Sequence, residues 1–510
     1  MAQDGVGPID EIIVTSRYRA ENLSDVPDSI TAFTAGEVER YRIERVNRVA
    51  ALTPNLRFSD DQEVGVSTLV IRGVTQNRGT GQPPVSFRID GVSATNNLLT
   101  TQELFDIESV DVLRGPQGAL YGRNAIGGAI LISTRQPTET PEFNLRVSAA
   151  EGKDYTLAGS ASGPLVGRDV LGRFSFRVQD REGQLKNAYL DNQYVDFKDS
   201  VSMRDKLLFT PSDKLTIDLR AQYLDQDAGS GYFTPGTDFF LPLPPPNDPI
   251  IVDVPEFEIQ SNKIGESFVK SSEVSAKIDY ELGWATLTSI TSFTDVDSGN
   301  DQDLDQTFVE AIDILVIDDS ETFAQELRLV SDDDRALRWV AGLSWFSQDR
   351  FRSLATTFLG TPVPPAAQDL RLEDFAVFGN LTYDLTDALE LTLVERPQVF
   401  DSVVDRGIDR LAHRRRVERL HRHVAPRGRH GVHHGATATE PVAPGRDHGR
   451  EYRGQRSAAH RDRQSPTSLA ARSAARRPDR RRRDGLDPIA PRAVGRSRRR
   501  RADAVLGDTA

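Results

Sequence analysis

Apolar and polar residues alternate with a period of two along much of the chain after Pro141. The segments 215–223, 274–282 and 337–345 each place apolar residues on one parity and mostly polar residues on the other. Successive side chains of a strand point to opposite faces, so this pattern predicts β-strands with one apolar and one polar face. Between Glu142 and Leu393 we count about ten such strands and the start of an eleventh.

The connections between these strands differ strongly in length. Tight turns alternate with long connections, the latter at about 183–199, 226–266, 298–313 and 351–369. Short turns on one side and long loops on the other are typical of outer-membrane barrels, where Tyr223 and Trp345 would lie in the aromatic belts. A soluble β-sandwich alternates in the same way, but it gives no reason for this asymmetry.

The stretch 108–137 has a different character. Its ends, Ser109–Leu113 and Ala129–Thr134, are β-branched runs that predict buried strands, and six glycines or prolines lie between them at 115, 116, 118, 122, 127 and 128. Glycine allows tight turns and close backbone approach, so we predict a compact strand–turn–helix–strand unit. Neither a P-loop nor a dinucleotide-binding spacing of glycines occurs here.

This stretch resembles the closing motif of the plug domain of TonB-dependent outer-membrane receptors. Segments 71–74 and 87–92 are similar to the two earlier plug strands of that family. The plug-motif residues are then Arg72, Gly73, Asp90, Gly91, Arg114, Gly115, Gly118, Gly122, Gly127 and Gly128.

A short segment near the N-terminus resembles the TonB box of the same family. It consists of Asp10, Glu11, Ile12, Ile13, Val14 and Thr15. Taken alone, this hexapeptide is more simply an ordinary edge strand. Upstream of a plug, the resemblance implies a segment that pairs with the periplasmic coupling protein TonB by strand addition.

The resemblance implies a mixed fold in four parts. We expect an N-terminal extension with the TonB box (1–22), a small α/β plug domain (23–137), an incomplete antiparallel transmembrane β-barrel (138–393) and a disordered tail (394–510). The family closes its barrel with 22 strands, so the barrel part amounts to roughly half.

The resemblance also implies a function and a location. These are energised uptake of a scarce nutrient, most often a ferric siderophore, across the outer membrane of a Gram-negative bacterium, with no cofactor. Two alternatives remain open: a non-transporting fragment of such a receptor, and a soluble β protein that binds nucleic acid through an arginine-rich tail. If the chain is an uptake receptor, we expect no nucleic-acid partner.

Composition changes abruptly near Leu393. Residues 1–393 carry 62 acidic and 34 basic side chains, whereas residues 394–510 carry 29 arginines, no lysine, 14 acids and all eight histidines. The break falls inside a strand pattern, so we interpret the tail as out-of-frame sequence that is disordered. A shift of frame by one or two bases should restore alternating sequence, which the nucleotide sequence around codon 393 would test. The competing interpretation is an arginine-rich nucleic-acid arm.

Several classes of chemistry lack their residues before the tail. Without cysteine, and with no histidine before His413, we predict no disulfide, no catalytic residue, no His-ligated zinc and no enzyme. No apolar run approaches the ~18 residues of a membrane helix. The chain begins Met1-Ala-Gln-Asp4 without a signal peptide, so we expect it not to be exported as written. The acidic stretch 295–305 fits a solvated loop better than a calcium site.

Four arginines of the plug motifs, Arg72, Arg88, Arg114 and Arg123, are candidates for ion pairs to acids of the barrel wall. We favour Arg72 and Arg114, since each lies beside a glycine at the end of an apolar strand. We further predict that Gly127→Val is the most damaging substitution in the plug, because valine would clash or resist a positive φ.

Overall fold

The structure is a computed structural model that describes residues 13–14, 17–19, 21–24, 26, 28–60, 67–75, 83–94, 97–230, 239–241, 250–252, 258–332, 335–386 and 389–405. Within these residues, no helix is both long enough and apolar enough to cross a membrane.

The first part of the chain contains short elements. In order, these are β1 (Ile13–Val14), β2 (Glu21–Asn22), β3 (Ile30–Thr34), α1 (Ala35–Arg40), α2 (Val46–Leu52), β4 (Leu56–Asp60), β5 (Ser67–Ile71), β6 (Val85–Ile89), β7 (Val92–Ser93), a 3₁₀ turn (Asn97–Thr101), β8 (Ile107–Arg114), α3 (Gly118–Tyr121) and β9 (Gly128–Thr134).

A five-stranded sheet with the order β3–β8–β9–β6–β7 organises this part. Strands β6 and β9 run parallel, and the other neighbours are antiparallel. Helix α1 begins with a capping box, in which Thr34 and Glu37 satisfy each other's backbone N–H groups. Buried apolar residues of the sheet, α1, α2, β4 and β5 form one core. The small α/β plug domain is thereby confirmed.

The second part consists of strands. They are β10 (Glu142–Ala150), β11 (Asp154–Val166), β12 (Val170–Arg181), β13 (Lys186–Asn187), β14 (Gln193–Tyr194), β15 (Lys198–Ser212), β16 (Leu215–Ser230), β17 (Phe239–Leu241), β18 (Ile250–Val252), β19 (Glu258–Ile259), β20 (Gly265–Glu281), β21 (Ala285–Asp303), β22 (Ile312–Ser331), β23 (Leu337–Phe358), β24 (Thr361–Thr386), β25 (Leu389–Glu395) and β26 (Gln398–Asp405).

The long strands form one antiparallel sheet that does not close on itself within the described residues. Its order is β10–β11–β12–β15–β16–β20–β21–β22–β23–β24–β25. Ten strands and an eleventh that starts at Leu389 agree with the count from the sequence. An incomplete antiparallel barrel is thus the observed architecture.

The eleventh strand continues past the composition break. Strand β25 pairs with residues 379–386 of β24, and β26 pairs with residues 369–376 of the same strand, so the two lie end to end along one edge. The predicted disorder from 394 onward is therefore wrong for β25 and β26, and the rest of the tail, from residue 406, lies outside the described residues.

The two faces of the sheet decide between a membrane barrel and a soluble sandwich. On β16, Leu219 and Tyr223 are 43% and 42% exposed on the outer face, whereas Arg220 is 5% exposed on the inner face. On β23, Trp345 is likewise on the exposed face. A sandwich buries its apolar face against a second sheet, so apolar-out and polar-in is the arrangement of a membrane barrel.

The acidic stretch 295–305 is not a solvated loop. Strand β21 runs to Asp303, and Asp303 and Asp305 are both buried. Asp303 accepts a hydrogen bond from Ser261 Oγ at 2.7 Å, and Asp305 accepts one from the Ile312 amide at 2.7 Å. These carboxylates organise the connection to β22, because they satisfy backbone groups that the turn leaves without partners.

Candidate functional site

Two residue pairs of the plug motifs form tight turns. Arg72 and Gly73 have φ of 51° and 81°, and Asp90 and Gly91 have φ of 49° and 84°. Two successive positive φ values mark the turn that suits a hairpin, and this explains a glycine at the second position. The Asp90–Gly91 turn joins β6 to β7.

The glycine-rich stretch closes on itself through backbone hydrogen bonds. The amide of Gly115 donates to the Gly127 carbonyl at 2.9 Å, and the amide of Gly127 donates to the Pro84 carbonyl at 2.8 Å. Helix α3 lies inside this turn, and Gly122 ends it with a φ of 69°. The stretch forms the predicted strand–turn–helix–strand unit.

The position that requires glycine is Gly128, not Gly127. A Cβ at Gly127 would meet the Pro84 carbonyl oxygen at 3.4 Å and the Val74 Cβ at 3.5 Å, which are ordinary contacts. A Cβ at Gly128 would overlap the Leu113 carbonyl oxygen of the neighbouring strand. Our prediction that Gly127 is the most sensitive position is therefore wrong by one residue, because the close approach occurs where Gly128 pairs with Arg114.

The long antiparallel sheet that begins with β10 is called the barrel wall. Asp90 connects the plug to basic residues of β15 and β16 in this wall. Its carboxylate accepts hydrogen bonds from the Thr134 amide and hydroxyl at 2.8 and 2.7 Å, and from Arg220 at 3.1 Å. Lys206 Nζ lies 3.5 Å away. Burial alone would raise the pKa of Asp90, but Lys206, Arg220 and Arg204 outweigh it and lower that pKa to about 2.

Glu103 forms the most deeply buried of these contacts. Its fully buried carboxylate lies 3.1 Å from Lys198 Nζ, which is also fully buried, and 2.5 Å from Arg177 Nε. Arg45 of the plug lies 3.7 Å away. Burial disfavours the ionised carboxylate, yet Lys198, Arg177 and Arg45 lower its pKa to about 2. Sequence reasoning missed Glu103, which stands in no recognised motif.

A third acid of the plug, Asp106, faces the same wall. Arg173 donates two hydrogen bonds to its carboxylate at 2.6 and 2.5 Å, the bidentate geometry that gives the strongest ion pairs. Together Asp90, Glu103 and Asp106 form an acidic flank of the plug. They contact basic residues of β12, β15 and β16.

A second flank of the plug, the basic flank, carries arginines that face acids of the wall. Arg88 lies 3.3 Å from Glu326 of β22, and Arg123 lies 3.6 Å from Asp374 of β24. The guanidinium of Arg123 also stacks 4.2 Å above the ring of Phe346. The plug is thus bound to the wall by ion pairs of opposite polarity on its two flanks.

The arginines that we favoured from the sequence do not make these contacts. Arg72 is exposed, in the turn beside Gly115, and Arg114 contacts the Pro54 carbonyl within the plug at 3.5 Å. Of the four candidate arginines, it is Arg88 and Arg123 that form ion pairs with the wall in the described residues. Arg123 directly follows Gly122 and still reaches the wall, so a neighbouring glycine does not distinguish the arginines that pair with wall acids.

The N-terminal segment folds back as a short hairpin. Ile13 and Val14 pair antiparallel with Asn22 and Glu21, and residues 17–19 lie in the connection between them. Asp10, Glu11, Ile12 and Thr15 of the candidate TonB box lie outside the described residues.

The connection of this hairpin contacts the barrel wall. Arg17 lies 3.1 Å from Glu390 of β25. Arg19 donates to Ser331 Oγ at 3.0 Å and to the Trp339 carbonyl at 2.9 Å. The segment next to the candidate TonB box is therefore bound at the same side of the wall as the basic flank.

The acidic flank should make the stability of the plug depend on pH. The pKa values of Asp90 and Glu103 are about 2 in the folded protein and about 4 in an unfolded chain. The ionised carboxylates therefore stabilise the fold above about pH 4, and this stabilisation is lost as the pH falls towards 2. Hydrogen exchange of the plug should be unchanged between pH 7 and 5, after correction for intrinsic rates. It should accelerate below pH 4, and less so in Asp90→Asn. A loss of protection already between pH 6 and 5 would contradict this assignment.

The described residues contain no group of three or more His, Cys, Asp or Glu placed to hold a metal ion. What the site offers is a set of reversible ionic contacts between a small domain and a surrounding wall.

Similarity to known proteins agrees with this arrangement. Residues 22–129 match the family described as TonB-dependent Receptor Plug Domain. The Pesticin receptor of Yersinia pestis is 30% identical over 178 residues, which cover 34% of this chain and 26% of that protein. The Ferrioxamine B receptor of Salmonella typhimurium strain SL1344 is 24% identical over 234 residues, which cover 44% and 31%.

Solved structures show the same fold. The ferric yersiniabactin uptake receptor FyuA of Yersinia pestis superimposes with a TM-score of 0.64 at 19% identity, covering 74% of this chain and 61% of that one. FpvA of P. aeruginosa gives a TM-score of 0.62 at 18% identity, covering 77% and 54%. The chain matches about a quarter to a third of the length of these curated relatives and somewhat over half of these solved receptors.

These relatives are receptors by name, and the prediction that the chain is not an enzyme is confirmed. The match to the plug family covers the motif residues, and the shared fold covers the wall that binds them. Residues 22–129 therefore belong to the plug-domain family of TonB-dependent receptors, and the strands that follow share the barrel fold of these outer-membrane receptors.

Proposed function

We propose that this chain acts in TonB-dependent uptake of a scarce nutrient across the outer membrane, with ferric siderophores as the substrate class. The observation that carries the proposal is the polar contact between plug and wall. Ligand binding on the outside would release the N-terminal segment inside, and tension on that segment would shift the plug.

Ionic contacts suit a domain that must move. An apolar interface loses its whole hydrophobic contribution when it opens to water, whereas the charged groups of an ion pair regain hydration when they separate. The plug contacts the wall through Asp90, Glu103 and Asp106 on one flank and Arg88 and Arg123 on the other. Displacing the plug therefore separates these ion pairs and the small apolar contact of Leu99 with Leu224 and Val269, but leaves the plug's own apolar core covered.

The coupling segment gives a direct test. Strand addition relies on backbone hydrogen bonds, so Ile13→Pro, which removes one N–H and fixes φ, should weaken binding to the periplasmic domain of TonB at least tenfold. Isothermal titration calorimetry with the purified chain measures this binding. Ile13→Val is the matched control and should bind like the unmodified chain. Equal affinity of the proline variant would remove the assignment of Asp10–Thr15 as the TonB box.

The substrate class is inferred from the names of the relatives, which include a Ferrioxamine B receptor and a ferric yersiniabactin uptake receptor. A Vitamin B12 transporter BtuB of Vibrio vulnificus is also similar, at 25% identity over 201 residues. The test is uptake of ⁵⁵Fe-labelled yersiniabactin, ferrioxamine and pyoverdine, with labelled cobalamin in parallel, in cells that lack their own receptors. Uptake of cobalamin alone would overturn the siderophore assignment.

A further inference from the structure

We propose that Tyr18 is a positioning residue that transmits displacement of the N-terminal hairpin to the glycine-rich turn of the plug. This inference rests on the proposed function, and it assigns a route by which tension on the TonB box reaches the plug. The neighbours Arg17 and Arg19 have a different role, because they bond to the barrel wall, whereas Tyr18 also bonds to α3 of the plug.

Tyr18 occupies an unusual backbone conformation in the connection of the hairpin. Its φ is 63°, a value that bulky residues adopt rarely and keep only where the surrounding contacts hold them. Strands β1 and β2 pair through only two residues each, and Arg17 of the connection bonds to Glu21 of β2 at 2.7 and 2.9 Å. Tension on Ile13 and Val14 therefore reaches the connection early.

The side chain of Tyr18 joins the connection to α3. Its hydroxyl donates to the Leu120 carbonyl at 2.9 Å, and its ring centroid lies 5.4 Å from that of Tyr121. The rings of Tyr18 and Phe378 of the wall are 6.3 Å apart, and Arg328 lies 4.2 Å above the Tyr18 ring. Tyr18 is therefore packed between the plug and the wall.

Helix α3 has few capping contacts, and its residues Leu120 and Tyr121 pack in a small buried apolar cluster against which Tyr18 lies. It spans four residues, its N-terminus has no side-chain cap, and it ends at Gly122, directly after Tyr121. The Tyr121 carbonyl accepts a hydrogen bond from Arg88 at 3.1 Å, and Arg88 also pairs with Glu326. Removal of Tyr18 would thus take a contact from the last turn of α3 and disturb the acceptor of Arg88.

Hydrogen exchange of the full chain in detergent micelles, without TonB or ligand, tests the proposal. The amides of Tyr121 and Gly122 donate to the carbonyls of Gln117 and Gly118 in the last turn of α3. In Tyr18→Ala their exchange should accelerate at least tenfold. In Tyr18→Phe, which keeps the ring and loses only the hydroxyl, it should accelerate about threefold.

The control is the double variant Arg17→Gln/Arg19→Gln, which removes the wall contacts on either side of Tyr18. It should accelerate exchange in β1 and β2 and leave Tyr121 and Gly122 within twofold of the unmodified chain. If the control affects α3 as strongly as Tyr18→Ala does, the hairpin acts as a whole and the proposal is wrong.

Two further outcomes are decisive. Unchanged exchange at Tyr121 and Gly122 in Tyr18→Ala overturns the proposal. If Tyr18→Ala unfolds the plug, Tyr18→Phe decides: acceleration confined to those two amides supports the proposal, and no change overturns it. A failure of Asp10–Thr15 to bind TonB would appear in calorimetry and would leave this exchange result as it is, so the two hypotheses fail separately.

Discussion

Gly128→Ala should unfold the plug domain, whereas Gly127→Ala should leave it folded. The methyl group at 128 would overlap the Leu113 carbonyl oxygen in the paired strand, and backbone in the middle of a sheet cannot move aside. We expect a cost of about 3 kcal/mol or more, at the upper end for overpacking. At 127 the same methyl group makes ordinary contacts, and the cost should stay below about 1 kcal/mol.

The measurement is hydrogen exchange of β8 and β9 in the full chain, since both strands are central in the plug sheet. Loss of protection in Gly128→Ala with retention in Gly127→Ala is the expected pair of results. The reverse order would show that the sequence-based choice of Gly127 was right and that the strand register differs by one residue.

Glu103→Gln should release the acidic flank of the plug from the wall. The amide keeps the volume of the side chain but leaves Lys198 and Arg177 without the charge that compensates their burial. Breaking a buried ion pair from one side costs about 3–5 kcal/mol. We expect the free energy of unfolding of the plug to fall by that amount. Chemical denaturation of the chain in micelles measures it.

The matched control is Glu108→Gln, five residues away, because the Glu108 side chain is 59% exposed and its distance to Arg135 is 3.8 Å. An exposed pair of this kind contributes about 0–1 kcal/mol. Adding Lys198→Met to Glu103→Gln should recover part of the loss, because it removes one of the two buried cations. Equal stabilities of Glu103→Gln and the control would show that the ion pairs of Glu103 do not stabilise the interface between plug and wall.

The elements of this protein could be predicted from the sequence because each has a local cause. Alternation with a period of two gave the strands of the wall, and the glycines at 115–128 gave the turn and short helix of the plug. The two-residue turns at Arg72–Gly73 and Asp90–Gly91 likewise follow from residues that tolerate positive φ.

The contacts of the site could not be predicted in the same way, because they join residues far apart in the sequence. Glu103 and Lys198 form an ion pair although they are 95 positions apart in the sequence, and no residue near Glu103 indicates that partner. The choice between Arg72 and Arg88 depends on which way a turn points its side chain. The choice between Gly127 and Gly128 depends on register, which a run of two glycines does not reveal.

The opposite charges of the two flanks fix how the plug can face inside the barrel. Turning the plug so that its acidic flank faced β22 and β24 would bring its carboxylates to Glu326 and Asp374. Turning it the other way would bring its arginines to Lys198, Lys206 and Arg220. Like charges brought together where both side chains are buried repel strongly. This pattern therefore favours the observed azimuth of the plug over others that face the described strands. It thereby brings the N-terminal hairpin to the part of the wall that holds Glu390.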